Sequence, residues 1–139
     1  MSKKFERIKI VAFAEPSVKK AFNDLKKGKS EDKRLADFLT LCLVTCKDTK
    51  EARKIAKSLL KKKLVACANI IPKIESHYRW NGKIEKGSEA LLILKTKRQL
   101  QSKVSAEIKK LHSYKLPVIE FVSSKTGKEV EKWVGKETI

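Results

Sequence analysis

The strongest constraint on the fold is a hairpin signal in the middle of the chain, because it joins two long segments of strand type. Asn81 and Gly82 suit the positive φ angles of a two-residue type I′ turn. They stand between predicted strands over Val65–Trp80 and Ile84–Thr96. Each of these is more than twice as long as a usual strand of about five or six residues. We therefore expect an antiparallel arm that extends beyond the domain that carries it.

Pro72 interrupts the first of these strands and changes which residues share a face. Cys67 and Ile71 share one parity in the sequence before the proline, whereas Tyr78 and Trp80 share the other parity after it. One extra residue at a bulge turns a strand over, and proline within a sheet is found at bulges and edges. The pattern predicts a β-bulge at Pro72.

Periodic patterns around the hairpin complete a β-α-β-β-α-β order. A strand over Leu41–Cys46 precedes a helix that Asp48 or Thr49 can cap. A second helix follows the hairpin, and a strand over Val118–Val122 and a short terminal helix close the chain. This order predicts an α/β (α+β) ferredoxin-like sandwich over residues 41–139, with a long hairpin arm and a C-terminal helix. The apolar residues that recur at helical spacing are Ala52, Ile55, Ala56, Leu59 and Leu60 in the first helix, and Leu100, Val104, Ile108 and Leu111 in the second. The last short helix contains Val130, Trp133 and Val134.

Residues 1–40 form a separate β-α-α pattern, with a strand over Ile8–Phe13 and helices on either side of Gly28. A piece of this size cannot bury its apolar side alone, so we expect an accessory segment that docks on the remainder of the chain or on a neighbour. Its element order resembles the start of RelE-like toxins, and the resemblance covers this segment only.

The charge balance predicts contact with polyanions. The chain has 34 Lys and Arg against 16 Asp and Glu, a formal net charge of +18, and such a surplus attracts nucleic acid. Most of the basic residues are lysines, whereas recognition of base edges favours arginine. We therefore expect loose, salt-sensitive binding of polyanions, although a lysine-rich surface is also typical of heat adaptation.

Cysteine usage and hydropathy predict a cytoplasmic protein with no membrane partner. The three cysteines form no CxxC pair, which indicates reduced thiols instead of a disulfide framework. The residues after Met1 lack the apolar segment of a signal peptide. No apolar run approaches the roughly 20 residues that a membrane span needs.

The segment Ala90–Leu94 predicts self-association, because it is apolar on both sides of its strand. A sheet with helices on one face covers only one of these sides. Another subunit or the N-terminal segment must cover the second side.

Four sequence blocks occur in an order that resembles the CutA family of divalent-ion tolerance proteins. They are Leu64–Pro72 (LVACANIIP), Ser76–Ile84 (SHYRWNGKI), Glu89–Thr96 with its Leu-Lys-Thr ending, and His112–Pro117 (HSYKLP). The resemblance covers residues 41–139. It implies a ferredoxin-like subunit in a homotrimer, related in architecture to the PII signalling proteins. It also implies a role in tolerance of copper and other divalent ions.

The chain departs from the family pattern at the end of the second helix and in the first strand. Lys115 and Val118 stand where the family usually has glutamates, and Ser113 stands where proline is usual. Val44 occupies the position of a cysteine that is often seen in the first strand. Cys42 and Cys46 lie two residues to either side of it, on the same face of a strand.

Cys67 and His112 are the candidate metal ligands. A cysteine thiolate and an imidazole suit Cu(I) or Zn(II). To bind such an ion, Cys67 would need a further ligand, either His112 or a group from another subunit. The alternatives are a buried apolar Cys67 and a His112 that caps helix carbonyls.

Five further residues are candidates for a ligand cleft or an interface. The aromatic pair Tyr78 and Trp80 is more typical of a subunit contact than of a cofactor site. Lys95 ends an apolar strand and needs a partner, and Glu89 on the same strand is too far away to pair with it directly. Each of the two could pair across strands or subunits, or Lys95 could bind an anion in a cleft. Tyr114 shapes the turn into the last strand.

The sequence contains no constellation typical of an enzyme: no HExxH, P-loop, GxGxxG or Ser-His-Asp set. We therefore expect a non-enzymatic protein. Together with the cysteine usage, the resemblance to the CutA family implies a cytoplasmic trimer that binds or senses a divalent metal ion, with copper as the expected ion. Two alternatives remain open. One is a PII-like signalling or scaffold trimer that binds a small anion through Lys95, and the other is a basic protein associated with nucleic acid.

Overall fold

Four strands form one antiparallel sheet in the computed structural model, which describes residues 39–139. They are β1 (Leu39–Cys46), β2 (Cys67–Trp80), β3 (Lys83–Lys97) and β4 (Ile119–Ser124). Their order across the sheet is β2-β3-β1-β4, so the central β1 pairs with β3 on one side and β4 on the other. This is the order of a ferredoxin-like sheet, and the predicted fold class is confirmed.

The first strand begins earlier than the sequence pattern predicted. Leu39 pairs with Lys97 of β3 and with Ser124 of β4, so β1 starts two residues before Leu41. The rest of the predicted accessory segment, and with it the RelE-like pattern, lies outside the residues that the structure describes.

Three helices complete the described part of the fold: α1 (Thr49–Lys61), α2 (Gln101–Leu111) and α3 (Lys128–Glu137). Asp48 caps α1, since its Oδ1 accepts a hydrogen bond of 2.8 Å from the Glu51 amide. Leu60 was predicted on the buried side of α1 but is 41% exposed. The reason is geometric, because Leu60 lies about 100° around the helix from Leu59, at the margin of the buried stripe.

The core lies between one face of the sheet and the helices α1 and α2. Alternate residues of β1 and β3 point toward the helices and are fully buried, among them Val44, Leu92 and Leu94. We call the other face, which carries Leu41, Leu43, Leu91 and Ile93, the outer sheet face. These four side chains are only half-buried, as the apolar pattern on both sides of β3 predicted.

The predicted arm and its bulge are both present. Asn81 and Gly82 have φ angles of 49° and 75°, which the type I′ turn requires. The pairing of β2 with β3 shifts between Ile71 and Ile74, on either side of Pro72. Beyond the end of β1 the two strands continue alone as a two-stranded arm. Between residues 39 and 139, no helix has the length and apolar character to cross a lipid bilayer.

Candidate metal centre

His112 lies where the end of α2 meets the end of β1. Its backbone amide donates to the Ile108 carbonyl, so it ends the helix, and its side chain is fully buried. Nε2 is 2.8 Å from the Thr45 carbonyl oxygen. Because a carbonyl oxygen only accepts, Nε2 carries the proton, and Nδ1 accepts a hydrogen bond of 3.1 Å from the Tyr114 amide. Both ring nitrogens therefore have partners within the chain.

Glu51 is a buried carboxylate that faces His112. Its oxygens accept hydrogen bonds from the backbone amides of Lys47 (3.3 Å) and Ser113 (3.2 Å). Its Oε1 lies 3.6 Å from Nδ1 of His112. Glu51 thus connects the first turn of α1 with the segment that follows α2.

Cys46 completes a group of three side chains with metal-ligating atoms. Cys46, Glu51 and His112 each offer one such atom, and these atoms all lie within 4.8 Å of one another. Burial, with a smaller effect from the carboxylates of Glu51, Glu89 and Asp48, raises the pKa of the Cys46 thiol to about 12. The thiol is therefore protonated at neutral pH in the absence of a bound ion.

The donor chemistry of this group fits an ion of the zinc or copper class. Thiolate, imidazole and carboxylate together suit such ions better than Mg²⁺ or Ca²⁺, which prefer oxygen ligands alone. Bond lengths of about 2.0–2.3 Å would bring tetrahedral ligand atoms to roughly 3.3–3.8 Å from one another. Binding would therefore draw the three groups closer together. It would also remove the proton of Cys46 and take the Nδ1 lone pair of His112 from the Tyr114 amide.

The structure does not bring together the two predicted metal ligands, Cys67 and His112. Cys67 pairs with Lys95 on the outer sheet face, since its neighbour Ala68 packs toward the core. Its thiol contacts Oδ1 of Asn69 at 3.6 Å. His112 lies on the helix side near the opposite end of β1. The two residues could share an ion only across two subunits.

Glu89 and Tyr114, both candidates for the cleft, are in direct contact. The Tyr114 hydroxyl donates a hydrogen bond of 2.8 Å to Oε2 of Glu89. The tyrosine ring packs on the imidazole of His112, with 4.8 Å between ring centroids. Burial first, and then the Glu89 carboxylate, raise the pKa of Tyr114 above its ordinary value. The contacts around His112 thus extend through Tyr114 to Glu89, at the base of the arm.

The remaining three candidates lie away from this group. Lys95 is half-buried near the far end of β3, on the outer sheet face. Among residues 39–139 no carboxylate lies within ion-pair distance of it. Tyr78 and Trp80 are about half exposed on the arm.

The position of Glu51 beside His112 was not predicted from the sequence, and Cys46 was considered only as a possible substitute for the family cysteine. One local signal was available for Glu51. Asp48 and Glu51 have the three-residue spacing of a capping box, which places a carboxylate at the start of a helix. Nothing in the sequence spacing indicated that this corner also holds His112.

Comparison with known proteins identifies the family. Residues 40–137 match the model of the CutA1 divalent ion tolerance protein family. The divalent-cation tolerance protein CutA of Archaeoglobus fulgidus is 42% identical over 92 residues, which cover 66% of this chain and 89% of the relative. Its counterpart in Thermus thermophilus is 34% identical over 97 residues, or 69% of this chain and 94% of the relative.

Solved structures agree with the sequence comparison. The divalent cation tolerance protein of Thermus thermophilus superimposes with a TM-score of 0.71 at 33% identity, covering 73% of this chain and 99% of the other. The periplasmic divalent cation tolerance protein CutA of Archaeoglobus fulgidus gives 0.69 at 38% identity, covering 71% and 97%. Fold, sequence blocks and structural neighbours agree, and the chain belongs to the CutA1 divalent ion tolerance family.

Proposed function

We propose that this protein contributes to divalent-cation tolerance by binding an ion of the copper class at Cys46, Glu51 and His112. The observation that carries the proposal is the convergence of a thiol, a carboxylate and an imidazole within 4.8 Å of one another. Copper is the proposed ion because thiolate and imidazole ligands suit it, as they also suit zinc. The role is one of binding or sensing, without catalysis.

Titration with Co²⁺ tests the site, because a thiolate bound to cobalt gives a charge-transfer absorption that oxygen and nitrogen ligands do not. We expect this absorption in the wild-type protein and its loss in Cys46→Ser. Cys42→Ser is the matched control, since Cys42 is equally buried on the same face of β1. Displacement of bound Co²⁺ by Zn²⁺ or Cu²⁺ then ranks the affinities of the three ions for the site.

Two outcomes would contradict the assignment. Loss of the absorption in Cys67→Ser but not in Cys46→Ser would move the site to the outer sheet face, where a second subunit must contribute. A wild-type protein that binds none of the three ions would overturn metal binding as the basis of tolerance.

The functional unit that we propose is a cytoplasmic homotrimer. The half-buried side chains of the outer sheet face and the exposed Tyr78 and Trp80 support association, because burying such side chains is worth about 1.5–3 kcal/mol each. Three free thiols support a reducing compartment. The similar proteins include one named periplasmic and two named chloroplastic, so cell fractionation is needed to test the location.

Light scattering tests the assembly. We expect a mass of three chains, and Trp80→Ala should weaken the assembly because each arm is proposed to lie against the next subunit. A mass of 15.8 kDa, that of one chain, at micromolar concentration would contradict the proposal.

Binding of a small anion at Lys95 is a second candidate function. Lys95 is half-buried and has no acidic partner in the part of the chain that the structure describes, so its ammonium group is available to bind an anion. Calorimetric titration with ATP and inorganic phosphate should then give a signal that Lys95→Gln abolishes. An equal signal from Lys97→Gln, two residues along the same strand, would indicate non-specific attraction.

A further inference from the structure

The surface of α1 and α2 that points away from the sheet carries positive charge alone. Every exposed ionisable side chain on these two helices is a lysine or an arginine. We call this surface the basic helix face, and its principal members are Lys50, Arg53, Lys54, Lys57, Lys61 and Lys109.

The only acidic residues of the two helices point inward. Glu51 is buried against His112 and the backbone amides at the start of α1. Glu107 of α2 is 7% exposed, and its Oε1 accepts hydrogen bonds from Ser58 (2.9 Å) and Lys62 (2.8 Å). Glu107 pairs with Lys62 and, at 3.8 Å, with Lys110 of α2. Among residues 39–139 no carboxylate lies within ion-pair distance of the basic residues of α1.

This distribution is unfavourable for the isolated chain. Lys50 and Lys54, and likewise Arg53 and Lys57, are four residues apart and therefore adjacent on the helix surface, where like charges repel. Surface networks of heat-adapted proteins combine both signs of charge in ion pairs. Within residues 39–139 the basic residues of α1 form no such pairs, so heat adaptation does not account for them, whereas a multivalent anion would relieve their repulsion.

We propose that the basic helix face binds the phosphate backbone of a nucleic-acid duplex, independently of base sequence. Its basic residues recur once per turn along α1, which spaces them at about 5.4 Å. Lysines contact phosphates as point charges and do not read base edges as arginines do. This function is separate from the proposed metal site and goes beyond it.

The side chains between the basic residues argue against other polyanions. The exposed surface of α1 and α2 has no aromatic side chain on which the bases of a single strand could stack. Leu60 is its one large exposed apolar residue, whereas helices that bind membranes present an apolar side to the lipid. A duplex, with its charges on a regular outer surface, fits the basic helix face best.

The test is fluorescence anisotropy of the full chain with labelled DNA and RNA duplexes at about 50 and 200 mM salt, the range over which phosphate contacts weaken steeply. The test variant combines Lys50→Gln, Arg53→Gln, Lys54→Gln and Lys57→Gln. The matched control combines Lys125→Gln, Lys128→Gln, Lys132→Gln and Lys136→Gln, which removes the same charge from exposed positions elsewhere. Glutamine preserves helix propensity.

We expect the test variant to lose about tenfold or more in affinity for a duplex. The slope of log affinity against log salt concentration should become less steep by about 0.9 for each lost phosphate contact. The control should lose much less. Equal losses in both variants would overturn the proposal, since net charge alone would then explain binding. Tighter binding to single strands or to vesicles of anionic lipid, reduced by the same test variant, would also overturn it. Co²⁺ titration of the test variant should be unchanged, so failure here is distinguishable from failure of the metal site.

Discussion

Cys42 and Cys46 should be almost inert toward thiol reagents in the folded protein. Both side chains have no exposed surface, and burial raises the pKa of each thiol from 9.0 to about 12. The thiolate is the reactive species, so this pKa increase acts directly on the reaction rate.

The size of the effect follows from the ionised fraction. At about pH 8, a thiol of pKa 9.0 is roughly one-tenth thiolate, whereas a thiol of pKa about 12 is roughly one ten-thousandth thiolate. The difference is about a thousandfold in rate before steric exclusion is counted. Reaction of these two thiols should therefore require opening of the sheet.

Ellman's reagent measures this directly by the release of its coloured anion. We expect two thiols per chain to remain unreacted under native conditions and to react promptly in denaturant. Cys42→Ser and Cys46→Ser should each remove one slow thiol, while Cys67→Ser should remove none. Native reaction of either buried thiol at the rate of a free thiol would refute the reasoning. The rate of Cys67 also reports on the outer sheet face, because subunit association would protect it.

Three further perturbations test individual contacts. Asp48→Ala removes the cap of α1 and should lower the free energy of unfolding by about 1 kcal/mol in thermal melts; an unchanged melt would mean that another group caps the helix. Thr96→Val removes the buried 2.6 Å hydrogen bond to the Leu64 carbonyl, and urea titration should show a loss of about 1–3 kcal/mol; a smaller loss would mean that the carbonyl finds a new donor. The hydrogen bond from Lys62 holds the pKa of Glu107 below its ordinary value of 4.5, so stability should fall as the pH drops through the folded-state pKa. Glu107→Gln should flatten this acid dependence, and a stability that rises toward acid would contradict the assignment.

Features of the fold that depend on neighbouring residues were predictable from the sequence. The turn at Asn81, the bulge at Pro72 and the cap of α1 each follow from local backbone preferences. Strand ends were less predictable, because the start of β1 is set by its partners Lys97 and Ser124, which are distant in the chain. The local sequence of β1 carries no information about where the strands that pair with it begin or end.

The candidate site was predicted only in part, for a related reason. The position of His112 at a helix end could be deduced from the sequence. The contact of His112 with Cys46 and Glu51 requires the end of α2 to meet the junction of β1 and α1. That meeting is a property of how the layers pack, and local pattern does not reveal it. Cys67 was predicted as the partner of His112 because its thiolate is a soft ligand.

The central position of β1 has a consequence for synthesis of the chain. The hairpin of β2 and β3 is local and can pair soon after Lys97 leaves the ribosome. β1 is made before either of its neighbours, and its second partner is complete only at Ser124. Throughout that interval an apolar strand retains unpaired backbone groups, which is the arrangement that favours pairing with other chains. We therefore expect nascent chains that stall between these two points to be the species most prone to aggregate.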